Sequence, residues 1–420
     1  MFPGRRILIM AMNIAYLANE FPSAVEPYVW EEIAELRRAG INIAPCSVRQ
    51  PRDAPFELRE MVLQTAYLLP LSFGVILHAA QLCMCKLGEI NKLLYAALNH
   101  PHESLSRRIR AVAHTLLGIC YSALLIDRNV EHIHVHHGYF AAWVAMAAAR
   151  VLGVTYSMTL HGSDLLLHRA FLDVKLEHCK FCLTVSEFNR RQILANYPDI
   201  SPEKVWIQRL GVDTITDMAA SEGPKQDSQF VMLSVGRLHA VKDHAFLLRA
   251  CSQLKLRGAD FICFIAGEGP ERPGLEKLIR NLGLQQNVIL LGYVSRAKLA
   301  TYYAQCNLVV LTSKSEGIPL TLMEAMAHGR TVLAPAITGI PELVVDGITG
   351  FLYQPGLIED FVTKVETIRS SQPALRTIRY RARRHVLENF NRARNLAIFA
   401  ESFPALVTGQ HYENPLLQQI

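Results

Sequence analysis

Apolar residues fall in short runs separated by amphipathic stretches, and this alternation sets the predicted elements. Asn13–Leu17 is a short apolar run that reads as a strand ending in the loop ANEFPSAVEP. The next stretch, YVWEEIAELRRAG, places Val29, Ile33 and Leu36 on one helical face and stops at Gly40. INIAPCSV, HIHVHH (132–137), VTYSMTLHGSD and CKFCLTV read as further strands, with an Ala-rich helix after HIHVHH. Residues 220–229 are polar, non-periodic and contain Gly and Pro, as a linker would. The alternation then restarts. FVMLSVGR, DFICFIAGEGP, NVILLGYV, LVVLTSKSEG and TVLAPAITG read as strands, and HAFLLRACSQLKLRG and GLEKLIRNLGL as helices. The segment RTIRYRARRHVLENFNRARNLAIFA reads as a basic helical pattern crossing back to the first half, its arginines on a solvated face. Strand–helix alternation in two halves predicts an α/β fold with two doubly wound parallel-sheet domains. Their expected bounds are 1–218 and 219–384, with a returning helix and tail over 385–420 and an extension over 1–11.

One region departs from this rhythm. No charged side chain occurs from Met61 to Cys85, and Ala111–Ile126 is similarly apolar, preceded by Arg107, Arg108 and Arg110. Gln64, Pro70, His78 and Gln81 interrupt the first piece. Over 61–126 this predicts a buried or surface-docking helix pair with its arginines toward anionic lipid, in preference to a membrane span. Composition adds little to the picture. A chain of 420 residues defaults to two domains. Its net charge of +6 suits anionic small ligands or an acidic membrane surface, and lacks the dense basic runs of nucleic-acid readers. Nine cysteines, an odd number, with no secretory signal evident, predict free thiols in a reducing cytoplasm. Cys179 and Cys182 form a CxxC with no second ligand pair, and no acid or cysteine spacing completes a metal set with the histidines of HIHVHH, expected to face two each way.

The candidate chemistry lies at strand ends of the second half, because ligands of doubly wound sheets sit beyond the carboxyl ends of the strands. These ends carry Gly236-Arg237 with Lys242 nearby, Gly267-Glu268-Gly269-Pro270, Glu316-Gly317-Ile318-Pro319 before a helix, and Thr338-Gly339. Two cations, backbone open at glycine and a helix N-terminus make a seat for a diphosphate. Pro319 suits the first helical turn. Glu324, further into that helix, can accept hydrogen bonds from the paired hydroxyls of a ribose, and Glu316 lies toward the far end of the diphosphate, where a transferred sugar would be. The spacing of the two glutamates alone is ordinary; its weight comes from SEGIPLTLMEAMAHG around it.

These residues resemble a known family. VGRLHAVKDHAFLLRA, IAGEGPERPGLEKLI, LLGYV and LTSKSEGIPLTLMEAMAHGRTVLAPAITGIPELVVDGITGFL, with ANEFPSAVEPYVWEEIAELRRAG, HIHVHH, TLHGSD and TVSEFNRR, resemble retaining glycosyltransferase family 4 of the GT-B fold. The first-half set is similar to the branch that builds exopolysaccharide and colanic-acid-type polymers. The resemblance implies two Rossmann-like domains facing across a cleft. It implies retaining, metal-independent transfer of a hexose from a UDP- or GDP-linked sugar to a saccharide or lipid-linked acceptor, without a cofactor, at the cytoplasmic face of the cell membrane. It implies that Arg237 and Lys242 neutralise the diphosphate, that Glu324 holds the ribose, and that Glu316 contacts the donor sugar. The backbone of Gly317, Ile318, Pro319 and Leu320 would meet phosphate and sugar, and Gly236, Gly267, Gly269 and Gly339 would shape the donor loops. His161 would lie near the sugar's reacting carbon, completing a catalytic set of Glu316, His161, Arg237 and Lys242. Glu26, His136, Asp164, Ser186 and Asn189 are the acceptor-side candidates. Pro27, His137, Asp243 and Thr331 depart from the family pattern, and none of them removes a charged partner of the diphosphate. No D-x-D triplet occurs, in agreement with a metal-independent route. A sugar-nucleotide epimerase and a non-catalytic nucleotide-sugar binder are the alternative readings.

Overall fold

The computed structural model describes residues 12–23, 26–51, 58–213, 229–371 and 375–410. The expected extension over 1–11 and nearly all of the 220–229 linker lie outside these residues. The chain forms two compact units. One is built from the residues up to Val185, Asn189–Gln208 and those from Leu396 on; the other from Ser186–Phe188 and Arg209–Asn395. By its contacts the chain crosses between the units at 185/186, 188/189, 208/209 and 395/396.

The first unit holds seven parallel strands: β1 (Asn13–Glu20), β2 (Asn42–Arg49), β3 (Ala66–Tyr67), β4 (His132–His136), β5 (Thr155–Leu160), β6 (Cys182–Thr184) and β7 (Val205–Ile207). They lie in the order β3-β2-β1-β4-β5-β6-β7. The second holds β8 (Phe230–Val235), β9 (Phe261–Ala266), β10 (Val288–Gly292), β11 (Leu308–Val310), β12 (Thr331–Pro335) and β13 (Phe351–Tyr353), in the order β10-β9-β8-β11-β12-β13. Both orders reverse between the first and fourth strand of their unit. That reversal opens a crevice at the strands' carboxyl ends, one between β1 and β4 and one between β8 and β11.

Parallel strands buried on both faces need apolar residues at nearly every position, and these have them. Ile14 to Ala18 of β1 and Leu308 to Val310 of β11 are buried throughout. The Ala-rich helix Phe140–Leu152 is buried along almost its whole length. It packs against Leu105–Leu125 so closely that a β-carbon at Gly118 would sit 2.5 Å from Ala147 Cβ. Trp143 Nε1 donates to Thr115 Oγ1 across the same contact at 2.9 Å.

The apolar 61–126 region resolves into three main helices rather than a pair: Phe73–Cys85, Leu87–Leu98 and Leu105–Leu125. The first two bend by 94° at their junction, and the third is long and apolar enough to cross a membrane by composition, with 44% of its most apolar stretch buried within the protein. The basic segment near the C-terminus is two helices, Leu375–Asn389 and Arg392–Thr408, not one continuous pattern. Asn391 breaks it, because its Oδ1 accepts the Arg394 amide at 3.0 Å and so starts the second helix. Only the later residues join the first unit, where Phe399, Phe403 and Val407 pack on Ile14, Tyr16 and Phe181.

Candidate functional site

In the second unit, four loops meet at the β8/β11 crevice. Gly267 follows β9 with φ +150° and lies so near the β8 loop that a β-carbon would meet the Gly236 carbonyl at 2.0 Å. Gly269, at φ +159°, lies as close to the Leu238 carbonyl, 2.3 Å. Only glycine tolerates both the φ and the contact. Gly339, after β12, stands in the same relation to the Gly317 carbonyl, 2.3 Å. These contacts hold the predicted donor glycines of two loops against the Gly236–Leu238 and Gly317 turns.

The Lys242 side chain crosses the face of Gly236, its Cδ at 3.6 Å from where a β-carbon would be. Its Nζ bonds Glu316 Oε1 at 2.5 Å, and Ser313 Oγ donates to the same oxygen at 2.5 Å. Thr312 Oγ1 fixes the Lys242 carbonyl at 3.0 Å. The Glu316 amide donates to Thr338 Oγ1 at 3.4 Å. Lys242 and Glu316 thus lie in one partly buried pair, while the Arg237 side chain is exposed beside them.

The helix after this loop begins at Leu320, and Pro319 is its N-cap, at φ −75° and ψ +120°. The sequence reading put Pro319 inside the first turn; its extended ψ places it one step earlier. Among the described residues, the amides of Gly317, Ile318, Leu320 and Thr321 have no backbone or side-chain acceptor. Four open donors, next to an ammonium, form an anion seat.

Glu324 lies about one turn inside that helix. Tyr303 Oη donates to its Oε2 at 3.0 Å, and Arg296 Nε lies 3.8 Å from its Oε1. Burial pushes its pKa above the ordinary glutamate value, and Arg296 and the Tyr303 hydroxyl oppose that rise. The Tyr303 ring is braced by His328 at 5.2 Å. Tyr303 and Arg296 support the site from outside every motif read in the sequence, while Ser313 and Thr338 lie within such motifs but carried no assigned role.

In the first unit, loops after β1, β4 and β5 bring a second group together at the β1/β4 crevice. Asp164 is fully buried. Its carboxylate accepts the amides of Gly162 (2.8 Å), Leu165 (3.0 Å), Gly138 (3.0 Å) and His161 (3.1 Å). It also lies 3.5 Å from His137 Nδ1, whose Nε2 meets Glu26 Oε1 at 3.1 Å. Burial lowers the His137 pKa, but Asp164 and Glu26 outweigh it and raise the pKa to about 10. Asp164 itself is held well below the usual carboxylate range, since His137 and the Gly138 amide outweigh the effect of burial. Asp164 therefore organises the loops and has no free lone pair to offer an acceptor. Ser186 and Asn189, also expected on the acceptor side, are likewise fully buried.

The histidines of β4 do not face two each way. His132, His134 and His136 share one buried face, as residues two apart on a strand must, and His137 lies beyond the strand end at φ +68°. The face is a hydrogen-bonded ladder. Thr155 and Ser157 hold His132 at 2.7 Å each, and Ser157 and Thr159 hold His134 at 2.7 and 3.0 Å. Burial keeps His132 near pKa 3 and His134 well below its ordinary value, so both are neutral. Glu32, His134 and His136 bring ligand-type atoms within 4.8 Å of one another, a cluster the spacing did not foresee. Each ring nitrogen in it already has a hydrogen-bonding partner.

With this geometry in view, the comparisons with known proteins are specific. The pattern described as "Glycosyltransferase Family 4" matches residues 25–215, and "Glycosyl transferases group 1" matches 217–385. A Salmonella typhimurium protein named as a colanic acid biosynthesis glycosyltransferase, WcaL, is 31% identical over 406 residues, covering 90% of this chain and 96% of its own. This chain belongs to the family 4 glycosyltransferases. The amylovoran biosynthesis glycosyltransferase AmsK of Erwinia amylovora is 25% identical over 364 residues, covering 82% of this chain and 88% of its own. Among solved structures, Anabaena HepE in complex with UDP superposes with TM-score 0.67 at 19% identity, over 94% of this glycosyltransferase and all of HepE. Two parallel-sheet units with such neighbours make the fold GT-B.

Proposed function

We propose that this glycosyltransferase moves a hexose, with retention, from a UDP- or GDP-linked sugar to a saccharide or lipid-linked acceptor in exopolysaccharide assembly, without a metal. The observation that carries this reading is the Lys242–Glu316 pair, 2.5 Å apart and beside four open amides at the β8/β11 crevice. An ammonium and a helix N-terminus can stabilise the charge that grows on a departing diphosphate, a task a divalent ion would otherwise perform. Support for the polymer comes from WcaL and AmsK, named for colanic acid and amylovoran, and for the nucleotide from the UDP bound to HepE. Arg237, exposed on the same loop, adds a second cation for the diphosphate. The purified protein should release nucleoside diphosphate from one of a panel of UDP- and GDP-sugars, with EDTA present, when followed by mass spectrometry. A strict metal requirement overturns the metal-free route. Product formed at full rate without acceptor, with the sugar epimerised, favours the epimerase reading.

Glu324 is assigned to the ribose. Glu324→Ala should raise the donor KM about tenfold with kcat changed less, as loss of a binding contact made equally in ground and transition states does. An unchanged KM in initial-rate assays removes Glu324 from the donor site.

The acceptor side includes a membrane surface in this proposal. Helix Phe73–Cys85 carries no charge and buries only Ala79. Phe73 (81%) and Met84 (70%) are largely exposed, as are Leu105 (70%) and Ile109 (58%) on the neighbouring helix. Across 86–128, Lys86, Lys92, Arg107, Arg108, Arg110 and Arg128 stand against Glu89, Glu103 and Asp127, a local excess of +3 (6 − 3). Apolar side chains with a basic surround suit an anionic bilayer face. The protein should sediment with vesicles containing anionic lipid and not with neutral ones, and Phe73→Ser/Met84→Ser should weaken this roughly tenfold or more. Equal binding to both vesicle types overturns the assignment.

A further inference from the structure

A buried chain of three side chains runs inward from His161. His161 Nε2 lies 3.0 Å from His136 Nδ1. His136 Nε2 lies 3.1 Å from Glu32 Oε2 and 3.4 Å from Tyr16 Oη. Tyr16 Oη donates to the same Glu32 oxygen at 2.5 Å. His136, Glu32 and Tyr16 are all buried, and His161 is half-buried at the loop after β5.

The protons in this chain follow from counting donors. A tyrosine hydroxyl has one hydrogen, and here it goes to Glu32. The His136 Nε2 therefore faces two oxygens with only lone pairs to offer, a carboxylate and a phenol, and must carry the hydrogen itself. Its Nδ1 is then bare and must accept from His161 Nε2. That leaves Nδ1 of His161 unprotonated, and among the described residues the hydrogen bonds of this ring run through Nε2. We propose that Glu32 is a positioning residue of this glycosyltransferase: through His136 it fixes His161 in the Nε2–H tautomer and presents Nδ1 as an acceptor for a substrate hydroxyl.

The surroundings agree. The groups facing His161 and His136 are Tyr28 at 4.5 Å, His137 at 4.6 Å and His134 at 5.2 Å between ring centroids, with Asp164 on the His161 amide. Burial, and then the nearby His137 and His136, hold the His161 pKa well below its ordinary value. A neutral His161 has one ring nitrogen to accept with, and Glu32 decides which one. The role of Nδ1 rests on the glycosyl-transfer reading; the tautomer does not.

Long-range 1H–15N correlation of histidine-labelled protein, without substrate, tests the assignment. In the wild type, His136 and His161 should both be Nε2–H. In Glu32→Leu the Tyr16 hydroxyl is released, donates to His136 Nε2, and both histidines should switch to Nδ1–H. Glu32→Gln, with its carbonyl oxygen toward His136, should keep the wild-type tautomers. The kcat of Glu32→Leu should fall about tenfold with donor KM little changed, and Glu32→Gln should recover most of it. A wild-type His161 in the Nδ1–H form overturns the inference, even if Glu32→Leu fails to fold. So does a tautomer switch with unchanged kcat. Failure of the glycosyl-transfer reading shows separately, as a wild type that turns over no nucleotide sugar.

Discussion

Replacing Lys242 by alanine should cut turnover about 100-fold or more, while the folded state loses little. The two effects differ because one side chain enters two unequal interactions. At rest its ammonium bonds Glu316 at 2.5 Å, with both side chains retaining some exposure, 20% and 11%. Such partly solvated pairs are typically worth about 1 kcal/mol or less. During transfer, negative charge builds on the leaving diphosphate, and one pre-placed donor at such a point is typically worth about 3–4 kcal/mol. The Glu316 carboxylate also depends on Lys242 and Ser313 for its place, so the loss reaches both ends of the donor. Initial rates at saturating donor should show the fall mainly in kcat, and Lys242→Arg should regain part of it by restoring the charge. A Lys242→Ala enzyme within about threefold of wild type would remove the lysine from leaving-group chemistry.

What the sequence disclosed about this site follows from how local each signal is. Gly236, Gly267, Glu316 and Gly339 each end an apolar run, and a parallel sheet puts such ends on one edge whatever the intervening helices do. The meeting of these four loops at one sheet edge is therefore legible in the sequence. Strands β3, β7 and β13 were not, since two or three residues are too few to show a period. In β4 the spacing of two puts His132, His134 and His136 on one face rather than two each way, and only His137 leaves it. Glu32 was invisible for a different reason. It sits at the edge of the apolar face of helix Pro27–Arg38, where a glutamate normally meets solvent, and its burial is made possible by Tyr16 and His136 from other elements. A polar side chain whose partners lie far along the chain leaves no pattern in its own neighbourhood. The same holds for Tyr303, which supports Glu324 across 21 positions.

Asp164→Ala should be the most damaging single change in the first unit, destabilising it by about 3–5 kcal/mol. The carboxylate is buried and gathers the amides of Gly138, His161, Gly162 and Leu165 together with His137. Removing it leaves a cation-forming imidazole and several amides buried with no acceptor, and orphaned buried donors each carry a desolvation cost. The effect has a pH signature. His137 is raised from an ordinary 6.5 to about 10, so its share of stability is complete below about pH 6.5 and disappears as pH rises through 10. Asp164 is depressed, so its share is complete above the unfolded carboxylate value near 4 and is lost only as pH falls through its lower folded value. The wild type should therefore exceed Asp164→Ala by the widest margin between about pH 4 and 6.5, and the margin should narrow toward pH 10. Urea unfolding of both proteins across that range, followed by the fluorescence of Trp143 in the first unit's core, measures it. Asp164→Asn keeps the shape but offers an amide group where acceptors are needed, and it should show the same narrowing from a smaller starting gap. A margin that does not change with pH would mean that His137 and Asp164 do not share a proton-dependent contact, and that the loops after β4 and β5 are held by packing alone.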